Sequence, residues 1–401
     1  VNLGIVIHRF GQGFSGGAEV HCRMVARRLA GMAGVDRVEV ITTTARDYLT
    51  WANAYPPGLE TEGEVAVRRF PVRRPRSLRT FDLINRAVNL FYGHAPILME
   101  RLWLRLQGPD CPGLLGYLRA RGTAFDRLIF YTYLYQPTVL GLPLMAGPPG
   151  LEPGQGPFLI PTAHDEKPLR LKIIRPVFEQ ARSLGFLSPA EADLVRERFR
   201  VAGIPQTVLG AGVEAPEGID PAAFAAGRGL GPYLLYLGRL DVQKGVPELI
   251  RLFRRAGRGP GAEGGRLALV LAGERKMDLE PGDGILCPGY LSEEEKWAAL
   301  AGATAVVAPS PFESLNLTVL EAGALGRPVL VNAACRVLED YVRRSGGGLA
   351  YHDQESFGQS LSRLADPAGN RLLGEANRAH VAGHHSWPAV DQRLRDWLKL
   401  G

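Results

Sequence analysis

The sequence predicts an α/β protein built from two doubly wound parallel sheets, and three observations predict it. Its 401 residues suffice for two domains, each with a core of its own. Short apolar runs alternate with helical stretches along both halves, the pattern of a parallel sheet wound with crossover helices. A stretch rich in glycine and proline, Gly203–Pro232, separates the two series and reads as the connection between them.

In the first half, Asn2–His8 (N-L-G-I-V-I-H) is an apolar run suited to a buried strand, and Glu19–Leu29 follows as a helix. Between them G-Q-G-F-S-G sets Gly11, Gly13 and Gly16 at the spacing of a dinucleotide-binding turn. That use needs an acid at the end of the second strand to hold a ribose. The second strand, Val38–Ile41, runs instead into Thr42, Thr43 and Thr44, so a nicotinamide or flavin cofactor is the weaker reading. Residues 42–62 lack periodicity and read as a long loop, and Glu64–Phe70 alternates like a strand. A basic run follows (Arg68, Arg69, Arg73, Arg74, Arg76, Arg79), then two amphipathic stretches carrying Phe91, Tyr92 and Trp103. Such a combination suits a membrane surface meeting the 68–106 region, although a solvated loop with core-facing helices accounts for the same residues. Phe125–Tyr131 and Phe158–Thr162 are two further buried strands; the second leads into A-H-D-E-K-P, which puts His164 just past a strand's carboxyl end. Leu184–Ser188 with Pro189 reads as a last strand and helix start.

In the second half, Tyr233–Leu240 is a strand running into D-V-Q-K-G, with a helix from Val246. Arg239 and Lys244 therefore sit where cations can neutralise a diphosphate, one as a planar fork and the other as a point charge. Leu267–Gly273 and Gly284–Leu291 continue the alternation. Ala305–Ala308 is then a strand ended by Pro309-Ser310-Pro311, a helix is expected from Ser314 to Leu325, and Val329–Val331 is the next strand. Glu313 and Glu321 are eight residues apart, about 12 Å at a helical rise of ~1.5 Å per residue, roughly the reach of a nucleotide sugar from hexose to ribose. Either glutamate alone reads as an ordinary helix acid. Together, one carboxylate could accept from sugar hydroxyls and the other from ribose hydroxyls, with N–H groups of Ser314, Leu315 and Asn316 facing the diphosphate between them.

With P-S-P-F-E-S-L, L-E-A-G and G-R-P-V-L, the segment 304–333 resembles the carboxyl-terminal signature of retaining nucleotide-sugar glycosyltransferases of family 4. The family's commonest loop follows its first glutamate with an aromatic and a glycine; this chain departs from it at Leu315-Asn316. Further resemblance lies in G-G-A-E at Gly16-Gly17-Ala18-Glu19, in His164-Asp165, and in the Arg239–Lys244 spacing, in the expected order along the whole chain.

The resemblance implies the GT-B fold, two facing Rossmann-like domains with a cleft between them. It assigns 1–205 to the acceptor, 206–232 to the linker and 233–387 to the donor, with a last helix at about 388–401 packing back on the first domain. It implies transfer of a hexosyl-type group from a nucleoside-diphosphate sugar to a hydroxyl acceptor with retention, in polysaccharide, glycolipid or other glycoconjugate biosynthesis. His164 would lie at the reacting carbon, Arg239 and Lys244 at the diphosphate, and Glu313 among the catalytic residues. Gly16, Gly17, Ser314, Leu315, Asn316 and Glu321 would bind the donor, and the backbone around Tyr290 its base. No metal or other cofactor is expected, because protein cations cover the phosphates and no D-x-D cluster appears.

Composition is consistent with these expectations. Hydrophobic residues make up 46% and charged residues 22%, ordinary for a globular enzyme. No apolar run is long enough for a bilayer and no signal-peptide pattern opens the chain, so a cytoplasmic protein is expected, peripheral at the membrane's inner face at most. Cys22, Cys111, Cys287 and Cys335 are scattered, which argues against a structural zinc or a disulfide framework. The net charge of +6 comes mostly from arginine, and no nucleic-acid module accompanies it. Two other readings stay open: a non-catalytic subunit that binds nucleotide sugar, and another GT-B reaction such as a sugar-nucleotide epimerase or a phosphorylase.

Overall fold

The computed structural model describes residues 1–13, 16–91, 93–147, 156–257, 266–279, 282 and 284–400, so Tyr92 and the Phe14-Ser15 step of the glycine turn lie outside the described residues. The chain separates into two compact units, Val1–Leu209 with Asp391–Gly401, and Gly210–Val390.

The first unit is built on an eight-stranded sheet: β1 (Asn2–Val6), β2 (Arg37–Thr43), β3 (Gly58–Glu62), β4 (Val65–Phe70), β5 (Arg127–Tyr131), β6 (Pro157–Ile160), β7 (Ser183–Phe186) and β8 (Gln206–Val208). Their spatial order is β3-β4-β2-β1-β5-β6-β7-β8, and only the β3–β4 pair is antiparallel. The central strands are apolar without alternation because crossover helices cover both faces; Leu3, Ile5, Ile129 and Phe130 are fully buried. The helix Trp387–Leu398 ends on this sheet, where Trp397 Nε1 donates to Ser183 Oγ at 2.8 Å and Arg127 Nε donates to the Leu398 carbonyl at 3.0 Å.

Residues 58–62 correct the expectation of a structureless loop. G-L-E-T-E carries no apolar alternation because β3 is an exposed edge strand, and charge holds it in place. Arg69 Nε donates to Glu60 at 2.6 Å and Arg27 to Glu62 at 2.9 Å.

The second unit carries six parallel strands: β9 (Tyr233–Leu237), β10 (Ala268–Ala272), β11 (Ile285–Gly289), β12 (Ala305–Ala308), β13 (Val329–Asn332) and β14 (Gly348–Tyr351). Their order, β11-β10-β9-β12-β13-β14, is the 3-2-1-4-5-6 arrangement of a dinucleotide-type sheet. The strand order reverses between β9 and β12, and a switch point of this kind opens a crevice at the carboxyl ends of the two strands. Helices Gln354–Ala365 and Pro367–His384 close the unit.

Candidate active site

The loops that leave β9 and β12 are locked together. After β9, the Asp241 carboxylate accepts the Lys244 backbone N–H at 2.9 Å, closing a single turn over Val242–Lys244. Gly245 then takes a left-handed conformation at φ 75°, and the helix Val246–Arg255 begins with a proline in its first turn. A Cβ at position 245 would run into the Pro309 carbonyl, so the two loop backbones touch there. After β12, Asn332 Nδ2 donates to that same Pro309 carbonyl at 3.0 Å, while the buried Ser310 hydroxyl donates to the Phe312 carbonyl at 2.9 Å.

This bracing brings three of the expected site residues together. Lys244 Nζ donates to Glu313 Oε1 at 2.8 Å, with only 29% and 12% of the two side chains exposed. The Arg239 guanidinium lies 3.6 Å from Asp241, and Tyr236 Oη donates to the Arg239 carbonyl at 2.7 Å. An ammonium has three N–H donors, so Lys244 can hold Glu313 and still meet a phosphate oxygen.

The helix expected from Ser314 starts three residues later, at Leu317, and ends at Ala324. Asn316 is the reason: its backbone is extended and its side chain accepts the Val319 N–H at 3.1 Å, making it the N-cap. Ser314 and Leu315 are therefore loop residues, and the N–H groups lacking partners within the helix belong to Leu317 and Thr318. Glu313 lies outside the helix, so the axial estimate of its separation from Glu321 does not hold. Glu321 has a different partner, Lys296 Nζ at 3.1 Å, which also meets Glu293 at 2.7 Å. Burial raises the Glu321 pKa, and the Lys296 charge opposes that rise. Tyr290 follows β11 and is 76% exposed.

Gly16, Gly17 and His164 belong to the first unit, where β1, β5 and β6 end side by side. A Cβ at Gly16 would press on the Glu19 carboxylate. Glu19 is buried and bonds to His8 Nε2 at 3.0 Å and to the Arg9 guanidinium. Burial works against its charge, but the His8 hydrogen bond and the nearby positive charge outweigh it and hold Glu19 well below the usual carboxylate range. Burial also lowers the His8 pKa, so we assign a neutral ring whose Nε2–H donates to Glu19. Glu19 thus ties the first helix to the end of β1.

Thr132 and Thr162, just beyond β5 and β6, both have positive φ, at 62° and 50°. For β-branched residues this is strained backbone, of the kind that clusters at functional sites. His164 follows Thr162; its Nε2 is 3.8 Å from Glu166, which accepts from Tyr133 Oη at 2.6 Å. Asp165 pairs instead with Arg198 at 2.6 Å, so the two members of the His-Asp dipeptide have different partners.

Sequence reasoning missed the group that fixes this loop. Glu191, fully buried, accepts the Ala163 N–H at 2.5 Å and the Leu187 N–H at 2.6 Å, bridging the ends of β6 and β7. The available signal was S-P-A-E, an N-cap serine followed by an acid at the third helical position. Burial pushes Glu191 up to about 8, against the pull of the backbone N–H groups, from an ordinary value of 4.5. Between those pH values the folded chain keeps a proton that the unfolded chain has lost, so stability falls as pH rises through the window. Urea unfolding of wild type and Glu191→Gln at pH 5 and pH 8 should show this decline to be steeper in wild type. Parallel pH dependences would remove Glu191 as its source.

The two units define the fold as GT-B. Residues 231–366, which hold all six strands of the second sheet, match the family model for Glycosyl transferases group 1. Among curated proteins, the glycogen synthase of Mycobacterium tuberculosis (strain CDC 1551 / Oshkosh) is 32% identical over 189 residues, covering 43% of this chain and 44% of that one. The chain thus aligns with less than half the length of this relative. Among solved structures, the sucrose-phosphate synthase from Thermosynechococcus elongatus superposes with a TM-score of 0.69 at 18% identity, over 99% of this chain and 98% of its own. HepE from Anabaena, solved in complex with UDP and glucose, gives 0.68 at 12% identity over 99% of each chain. At such identities the likeness is one of fold.

Proposed function

We propose that this chain is a retaining glycosyltransferase that moves a hexosyl-type group from a nucleoside-diphosphate sugar to a hydroxyl acceptor, without a metal ion. The observation that carries the reading is the Arg239, Lys244 and Glu313 cluster at the β9/β12 switch point, inside the segment that matches the group 1 glycosyltransferases. The UDP and glucose held by the Anabaena neighbour support the choice of donor class.

In this reading Arg239 and Lys244 are preorganised cations for the charge that develops on the departing diphosphate. Glu313 accepts from sugar hydroxyls and steadies Lys244. Glu321 accepts from the ribose, with the Lys296 charge opposing the rise in pKa that burial imposes on its carboxylate. The bond from the anomeric carbon to the diphosphate oxygen breaks with its electron pair leaving on oxygen. The acceptor oxygen bonds to the same face of that carbon, and its proton passes to the departing phosphate. His164 borders the reacting carbon, and Gly16 and Gly17 let the backbone approach donor and acceptor. The product belongs to polysaccharide, glycolipid or other glycoconjugate synthesis.

A mass-spectrometric screen of nucleotide sugars for enzyme-dependent release of nucleoside diphosphate, with EDTA present, tests the proposal beside Glu313→Ala and Arg239→Ala. One donor should be consumed by wild type and spared by both variants. Donor binding without turnover, even with hydroxyl acceptors and membrane extract added, would instead indicate a binding subunit, and no binding of any nucleotide sugar would end the reading.

A further inference from the structure

The basic run 68–79 does not itself form a cationic face. Arg68 pairs with Glu39 at 2.6 Å, the buried Arg69 with Glu60 at 2.6 Å and Arg73 with Asp110 at 2.6 Å, while Arg76 packs over the Trp51 and Phe81 rings. Arg74 aside, the uncommitted charge lies on the two helices that follow, Leu78–Leu90 and Ile97–Gln107. At about 100° per residue, Arg79, Leu83, Arg86 and Leu90 share one stripe of the first helix, and Leu98, Arg101, Leu102 and Arg105 one stripe of the second.

All eight side chains are exposed, with Leu83 at 68%, Leu90 at 80% and Leu98 at 72%; Phe91 adds a ring at 51%. The opposite faces enter the core of the first unit through Val88, Trp103 and Leu104, and the helices meet where Trp103 Nε1 donates to Asn85 Oδ1 at 2.9 Å. Since both helices pack on one core, both stripes point away from it. Among the described residues none of these four arginines makes an ion pair, and Asp82 is the one exposed acid on the two helices.

We propose that this helical pair docks the protein on an anionic lipid bilayer, its leucines entering the headgroup boundary and its arginines meeting lipid phosphates. Leucine and arginine interleaved on a single face match an interface that is apolar a few ångströms beneath its charge. A second copy of the chain fits poorly, because a two-fold contact would set arginine stripe against arginine stripe. A nucleic-acid backbone would satisfy the arginines and leave the leucines against phosphate. No helix among the described residues is long and apolar enough to cross a membrane, so attachment here is to the surface.

Co-sedimentation of the full chain with vesicles tests the proposal. Wild type should pellet with phosphatidylcholine vesicles containing phosphatidylglycerol and not with phosphatidylcholine alone. Arg79→Gln, Arg86→Gln, Arg101→Gln and Arg105→Gln together should weaken binding at least ~10-fold, and the pair Leu83→Ser with Leu98→Ser should do the same at unchanged charge. Unchanged melting temperatures establish that these exposed substitutions leave the fold intact. Equal binding to both vesicle types, or wild-type affinity in either variant, overturns the proposal. So does a dimer dispersed by the leucine pair, or binding to polyanions such as heparin, when vesicles are not bound.

Discussion

Lys244→Ala is expected to lower kcat by about 10²–10³-fold, the scale seen when one preorganised donor to a developing negative charge is removed. Two effects act in the same direction. In the proposed reaction the cation leaves the diphosphate, and Glu313, only 12% exposed, loses the partner 2.8 Å away, so its charge then opposes the departing group. Because the two side chains act as a pair, Glu313→Gln should cost less in the Lys244→Ala background than in wild type. Steady-state kinetics of the four proteins on the donor identified by the screen would show this. A Lys244→Ala enzyme with near wild-type kcat would remove the lysine from the reaction, and strictly additive losses would show that the pair acts as two independent groups.

Gly245→Ala should destabilise the second unit and abolish the proposed turnover with it. A left-handed backbone at a residue with a side chain costs of order 1–3 kcal/mol, and here the new Cβ also meets the Pro309 carbonyl that Asn332 holds. The β9 and β12 loops would have to part, separating Lys244 from Glu313. Gly229→Ala is the control: Gly229 is also left-handed, at φ 60°, but has nothing within 4 Å of a Cβ. Urea unfolding should find Gly245→Ala the less stable of the two, with only that variant losing turnover. Equal losses would mean that the contact with Pro309 contributes nothing beyond backbone strain.

The central strands were legible because parallel strands covered on both faces are continuous apolar runs, and N-L-G-I-V-I-H and Y-L-L-Y-L-G could hardly be placed elsewhere. The edge strand Gly58–Glu62 was not, since ion pairs to Arg27 and Arg69 hold it and these partners are distant in sequence. The helix over 317–324 was legible in its apolar spacing and misplaced at its start, where Asn316 could be read as N-cap or as first-turn residue until its side chain was seen on Val319. Glu191 and Lys296 went unrecognised for a common reason. Each looks like an ordinary helix-surface residue, and each acquires its role from a loop or carboxylate delivered by another element.

By itself, then, the sequence determined the strand–helix alternation and the two-sheet organisation, and it singled out Arg239, Lys244, Glu313 and Glu321 as candidates, because hydrophobic period and turn chemistry act over a few residues and leave a local trace. Tertiary structure alone decided that the strand order reverses between β9 and β12, that Lys244 rests on Glu313 while Glu321 rests on Lys296, and that the arginines of the 68–79 run are largely consumed by partners. These are facts of which charges meet, and charges meet only after burial has chosen the partners and removed the water that would otherwise screen them.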